Sequence, residues 1–101
     1  MDNSDIALTI IANALERAKT LKGHKKQQSI EDILNQITDD GELKQLLNNH
    51  IRTFTDISNN CNVRHIEKDK VIIEDKDIRD FLFYSYYNLI RLILSKLNML
   101  Q

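Results

Sequence analysis

The stretch from Asp75 to Leu100 constrains this chain most, because it reads as one helix with more apolar surface than an ordinary surface helix carries. Stepping about 100° per residue from Ile78, the apolar positions Phe81 to Phe83, Tyr86, Tyr87, Leu89, Ile90, Leu92 to Leu94, Leu97 and Leu100 cover roughly two thirds of the circumference. Only Asp80, Asn88, Arg91, Ser95 and Asn98 form a polar strip, with Tyr84 inside it. Such a helix needs cover on more than one side, so it is expected to be central to a bundle and also to meet a second chain. Its interruption by Asn88, Arg91, Ser95 and Lys96 argues against a membrane span.

The rest of the chain supplies the bundle. From Asn3 to Lys22, the residues Ile6, Ala7, Ile10, Ile11, Ala14, Leu15, Ala18 and Leu21 predict an amphipathic first helix, capped by Asn3 or Ser4 and closed at Gly23. Ser29, with Asp32 three residues on, predicts the start of a short second helix with Ile30, Ile33, Leu34 and Ile37 on one stripe. After the turn Thr38 to Gly41, a third helix from Glu42 carries Leu43, Leu46, Leu47, His50, Phe54, Ile57 and Cys61 as a seam, which places His50 in the core. Asn59, Asn60 and Asn62 cluster where that helix is expected to end, since Asn competes for backbone hydrogen bonds. Val71 to Ile73 are expected to tuck against the bundle, and Asp75 and Asp77 put negative charge at the positive end of the last helix. The expected architecture is one all-α domain over residues 1–101, an antiparallel four-helix bundle with a short second helix and a long, largely buried C-terminal helix.

Composition narrows the partners. Fourteen basic against 15 acidic residues leave no global field to draw the chain to nucleic acid or to a membrane, so an RNA partner would need a local patch. Two Gly and no Pro favour long helices over a turn-rich sheet fold. A single Cys excludes an intrachain disulfide, and the acidic start, Met1 to Asp5, does not read as a signal peptide, so the expected location is cytoplasmic. No cofactor or metal is expected: Cys61 and His65 stand four apart, but no second ligand pair completes a site. Lys19, Lys22, His24, Lys25 and Lys26 read as a solvated basic corner.

Chemistry, where present, centres on Asn59 to His65, NNCNVRH. Arg64 and His65 pair a permanent cation with a group that titrates near neutral pH. These are the two functions that metal-free RNA cleavage requires, a proton carrier and a cation for charge building on phosphorus. The other reading makes both residues structural, tying down an irregular loop by hydrogen bonds to helix-end carbonyls. Asn60, Asn62 and Lys68 would flank the pair as RNA-binding or loop-ordering groups.

The run from Gly23 through Leu43, Leu46, Leu47 and Phe54 to NNCNVRH, followed by a long apolar helix beginning KDIRDFLFYSYYNLI, resembles the HEPN superfamily. It is most similar to the branch found as C-terminal domains of bacterial abortive-infection proteins, where a GIRH-like tetrapeptide precedes the last helices. Val63, Arg64 and His65 carry the motif; Asn62 stands where that branch has glycine, and Arg64 and His65 are adjacent where catalytic members separate arginine and histidine by several residues. The resemblance implies an all-α homodimer joined through the C-terminal helix, acting in antiviral defence or as a toxin on RNA, with Arg64 and His65 as catalytic residues of a metal-independent endoribonuclease. A rival expectation keeps the same dimer and makes the chain a non-catalytic dimerisation or protein-interaction domain.

Overall fold

The computed structural model describes residues 3–61 and 70–99, with side chains from Ile6 onward. Among these residues four helices form, α1 (Asn3–Ala18), α2 (Lys26–Ile37), α3 (Gly41–Asn60) and α4 (Lys76–Lys96), giving the all-α bundle expected from the sequence. α4 lies along α1 and also touches α2, which in turn packs against α3. One buried cluster unites the four: Leu8, Ala12 and Leu15 from α1, Ile33 and Leu34 from α2, Ile51 from α3, and Leu82, Tyr86, Leu89 and Ile93 from α4.

Local chemistry sets most helix ends. Asp40 and Asp75 both cap, accepting the backbone N–H of Leu43 at 2.7 Å and of Ile78 at 3.1 Å, which satisfies donors that a helix start leaves free. α1 stops at Ala18, four residues before the expected end, because the next turns tighten: Thr20 and Leu21 bond back to Arg17 and Ala18 at 3.1 and 3.2 Å. Gly23 then reverses the chain at φ +151°, a conformation that L side chains rarely adopt. At the far end, α4 stops at Lys96 rather than running to Leu100. Asn98 takes the left-handed conformation, φ 60°, while Met99 and Asn98 donate to the carbonyls of Leu94 and Ser95 at 2.8 and 3.1 Å. That pair of bonds is a Schellman closure with Asn in the place usually held by Gly.

Ser29 does not start α2. The helix begins at Lys26, and the buried Ser29 hydroxyl instead accepts the backbone N–H of Lys22 at 3.0 Å, serving the turn rather than the helix. Asp32 likewise accepts from Gln28 at 3.0 Å, so no capping box forms.

Two helices bury a different face from the one their periodicity suggested. In α1 the buried residues are Leu8, Ala12, Leu15 and Ala18, with Lys19 one residue past the helix; Leu15 and Ala18 belong to the expected face, but packing is shifted to the side of Leu8 and Ala12, leaving Ile10 60% exposed and Ile6 exposed beside it. The apolar arc of α1 is broad, with Thr9, Asn13, Glu16 and Arg17 gathered on the remaining side, so spacing alone cannot choose which part of the arc packs. In α3 the fully buried residues are Ile51 and Ser58, whereas Leu43, Leu46 and His50 are exposed and Leu47, Phe54 and Ile57 only half-buried. His50 is thus no core histidine; its Nδ1 lies 3.1 Å from the Leu46 carbonyl on the outside of the helix. Val71 and Ile72 are also exposed, and only Ile73 of that segment packs on the core.

Tyr86 explains the setting of α3. Its ring is fully buried, with its centroid 4.9 Å from that of Phe54 at a 45° tilt. The hydroxyl donates to the Phe54 carbonyl at 3.0 Å, which leaves the 2.7 Å contact with Ser58 Oγ as a bond that Ser58 donates. Tyr86→Phe would strand the buried Ser58 hydroxyl and is expected to lower unfolding free energy by about 1–2 kcal/mol, measured by urea denaturation, with Ser58→Ala in the same background recovering part of the loss.

Candidate functional site

Of the residues singled out in the sequence, Asn62, Arg64, His65 and Lys68 lie outside the described residues. Asn60 closes α3, exposed, with its side-chain amide donating to the Asp56 carbonyl at 2.9 Å. Its own carbonyl accepts from Val71 N at 3.0 Å, and Cys61 and Val71 form an isolated parallel bridge. The described residues that flank Asn62 to Asp69 are therefore joined to each other beside the C-terminal end of α3. Cys61 is a half-buried free thiol, and among the described residues no group of three or more His, Cys, Asp or Glu side chains is placed to hold a metal ion.

A concavity lies elsewhere among the described residues, an open groove of about 630 Å³ between α2 and α3. Its floor is apolar, from Ile30 and Leu34 on α2 and Ile51 on α3. The walls are two polar stripes at helical spacing, Gln27, Glu31 and Asn35 on α2 and Lys44, Asn48 and Arg52 on α3. Four cationic side chains line it against two acidic ones, but Lys19 and Lys26 are taken up by Glu16, so the cations left to a ligand are Lys44 and Arg52. Lys44 and Arg52 form no ion pair among the described residues.

A charged hub closes one end of the groove. Lys19, expected in a solvated corner, is only 1% exposed, and its ammonium donates to Glu16 and to the Thr55 hydroxyl of α3. Lys26, at the start of α2, reaches the other carboxylate oxygen of Glu16 at 3.1 Å. One carboxylate thus holds α1, α2 and α3 together through two lysines. Lys19 is buried because α1 packs on the line that contains it; the stem fills the core edge while the charge finds a partner within one turn.

Burial pushes the Glu16 carboxyl up, but the hydrogen bonds and charges of Lys19 and Lys26 outweigh it and hold the pKa below its usual 4.5. A folded pKa below the unfolded one means that the ionised carboxylate stabilises the fold above about pH 4.5 and that this support is lost as pH falls through the folded value.

The groove does not stand out in the sequence, because Lys44 and Arg52 are isolated cations on a chain whose charges nearly cancel. The signal was present as two i, i+4, i+8 polar stripes on consecutive helices, but which faces meet depends on how Tyr86 sets α3. Comparison with protein-family models, with curated proteins and with solved structures finds no match. No described helix is long and apolar enough to cross a membrane.

Glu16→Gln leaves the buried Lys19 without its carboxylate while Thr55 remains. Its expected cost at pH 7 is about 3 kcal/mol, the low end for breaking a buried pair. Denaturation followed from about pH 6 to pH 3 is expected to show a shallower acid loss in the variant than in the parent; equal slopes would mean that Glu16 does not carry this linkage.

Proposed function

We propose that the chain is a self-associating helical interaction module in which α4 pairs antiparallel with α4 of a second copy. The observation that carries this reading is the outer strip of α4, opposite its buried line of Leu82, Tyr86, Leu89 and Ile93: Phe81, Tyr84 and Tyr87 stand exposed there, Phe81 at 66%. Aromatic residues with an arginine nearby are the composition of interface centres rather than of ordinary surface. The strip is also self-complementary in charge. Asp77 and Asp80 lie toward its N-terminal end and Arg91 toward its C-terminal end, so a two-fold axis level with Ser85 and Tyr86 would set Asp80 against Arg91 of the second copy and Tyr84 beside Tyr87. The three rings offer on the order of 300–400 Å² per copy, and with Asp80, Asn88 and Arg91 around them two copies approach the ~1,000 Å² that a specific interface needs. The Lys76 to Asp80 pair at 2.9 Å is exposed and weak enough to exchange.

Analytical ultracentrifugation is expected to show a concentration-dependent dimer. Tyr84→Asp should yield monomer with unchanged helical circular dichroism, since the side chain touches solvent. Arg91→Asp should weaken the dimer, and Asp80→Arg added to it should restore association. A parent chain that stays monomeric up to millimolar concentration would defeat the proposal.

The resemblance to the HEPN superfamily supports a second reading, in which the dimer meets RNA and Arg64 and His65 supply cation and proton carrier. Metal-free cleavage of total cellular RNA, lost in His65→Ala with the melting temperature unchanged, is its expected outcome; RNA neither bound nor cut sinks it.

A further inference from the structure

We propose that the groove between α2 and α3 binds an extended acidic peptide with acidic residues at positions i and i+4 and an apolar residue at i+2. The argument begins with the two cations. Lys44 and Arg52 lie eight residues apart on α3, a rise of about 12 Å, and neither is engaged by a described residue. In an extended chain, residues i and i+4 are about 13 Å apart and share one side with i+2. Two carboxylates at that spacing reach Lys44 and Arg52 together, while the intervening apolar side chain points at the floor of Ile30, Leu34 and Ile51.

The walls fit a peptide backbone. Gln27 and Asn35 on one side and Asn48 on the other present primary amides, each with a donor and an acceptor, and an extended backbone offers the matching N–H and C=O groups at every residue. A helix would bring no free backbone groups to these amides, because its own ladder uses them. Single-stranded RNA fits less well, since no aromatic ring lines the groove to stack a base. Glu31 and Asp56 set a register rather than block entry: Glu31 faces the middle of the groove, where the ligand carries its apolar residue, and Asp56 lies one turn beyond Arg52. The hub of Glu16, Lys19 and Lys26 closes that same end, and its charges are already engaged with each other.

The probe is a fluorescein-labelled peptide, Ser-Glu-Thr-Leu-Thr-Glu-Ser, titrated with the full chain by fluorescence anisotropy beside labelled oligouridylate. Saturable binding of the peptide is expected, weakened at least tenfold in the variant Lys44→Glu, Arg52→Glu, and recovered in that variant by the peptide with Lys in place of both Glu. Both substituted positions reach solvent, so the variant should keep its melting temperature. On the unaltered chain, nuclear magnetic resonance should show the side-chain amides of Gln27, Asn35 and Asn48 shifting with the peptide. Binding indifferent to the charge reversal, a preference for oligouridylate, or no saturable binding of either probe would each overturn the proposal.

Discussion

The bundle turns on one buried phenol. α3 is twenty residues long yet buries only Ile51 and Ser58 completely, so its orientation is not fixed by a broad apolar face. Tyr86 supplies what that face lacks. Its ring packs at a tilt against Phe54, and its hydroxyl accepts a hydrogen bond from Ser58 and donates one to the Phe54 carbonyl. A hydrophobic contact can slide or rotate at little cost, whereas a buried hydroxyl with two directional partners cannot, because a misplaced group would leave polar atoms unpaired in the core. The contact thereby decides which side of α3 faces α2, and so where Lys44, Asn48 and Arg52 point.

A second polar contact holds the same stretch of α3 from another side, through Thr55. An ammonium as buried as that of Lys19 would be costly alone, and even paired it is weak evidence for net stability, since desolvating both charges consumes most of their attraction. Its contribution is geometric. Glu16 holds Lys19 and Lys26, and Lys19 in turn holds Thr55, so α1, the start of α2 and the latter half of α3 meet at one point. With Tyr86 setting rotation and Lys19 setting approach, the groove between α2 and α3 has walls of fixed spacing over an apolar floor.

How much of this the sequence disclosed follows from what periodicity can encode. Helix number, the turn before α3, the positive φ of Gly23 and the end of α3 near Asn60 were legible, though the end of α1 was not, because Gly, Asn and Asp act locally through their own backbone preferences. Facing was not. In α1 the strongest apolar pattern pointed away from Leu8 and Ala12, and in α3 the leucine seam overshot the core, since a helix apolar on several sides leaves the choice of face to its neighbours. The burial of Lys19 is not legible locally, because it depends on a tertiary partner, here Thr55, thirty-six residues away. For the candidate site, the proposed pair Arg64 and His65 lies outside the described residues, while the groove was encoded as two stripes that become a site only once the helices are set against each other.

The same geometry separates the two surfaces proposed to act. No groove-lining residue belongs to α4, and none of Phe81, Tyr84, Tyr87 or Arg91 lines the groove. Pairing through α4 would therefore leave a groove open on each copy. Two weak sites held at a fixed separation bind a bivalent or repetitive partner far more tightly than either alone, because the second contact forms at an effective concentration set by the scaffold rather than by bulk solution. A shallow groove with two cations is poorly suited to strong monovalent binding, and a marginal apolar strip is poorly suited to a permanent dimer. Coupled, each compensates the other: a bivalent ligand would favour the dimer by mass action, and the dimer would raise apparent affinity for the ligand by the same linkage.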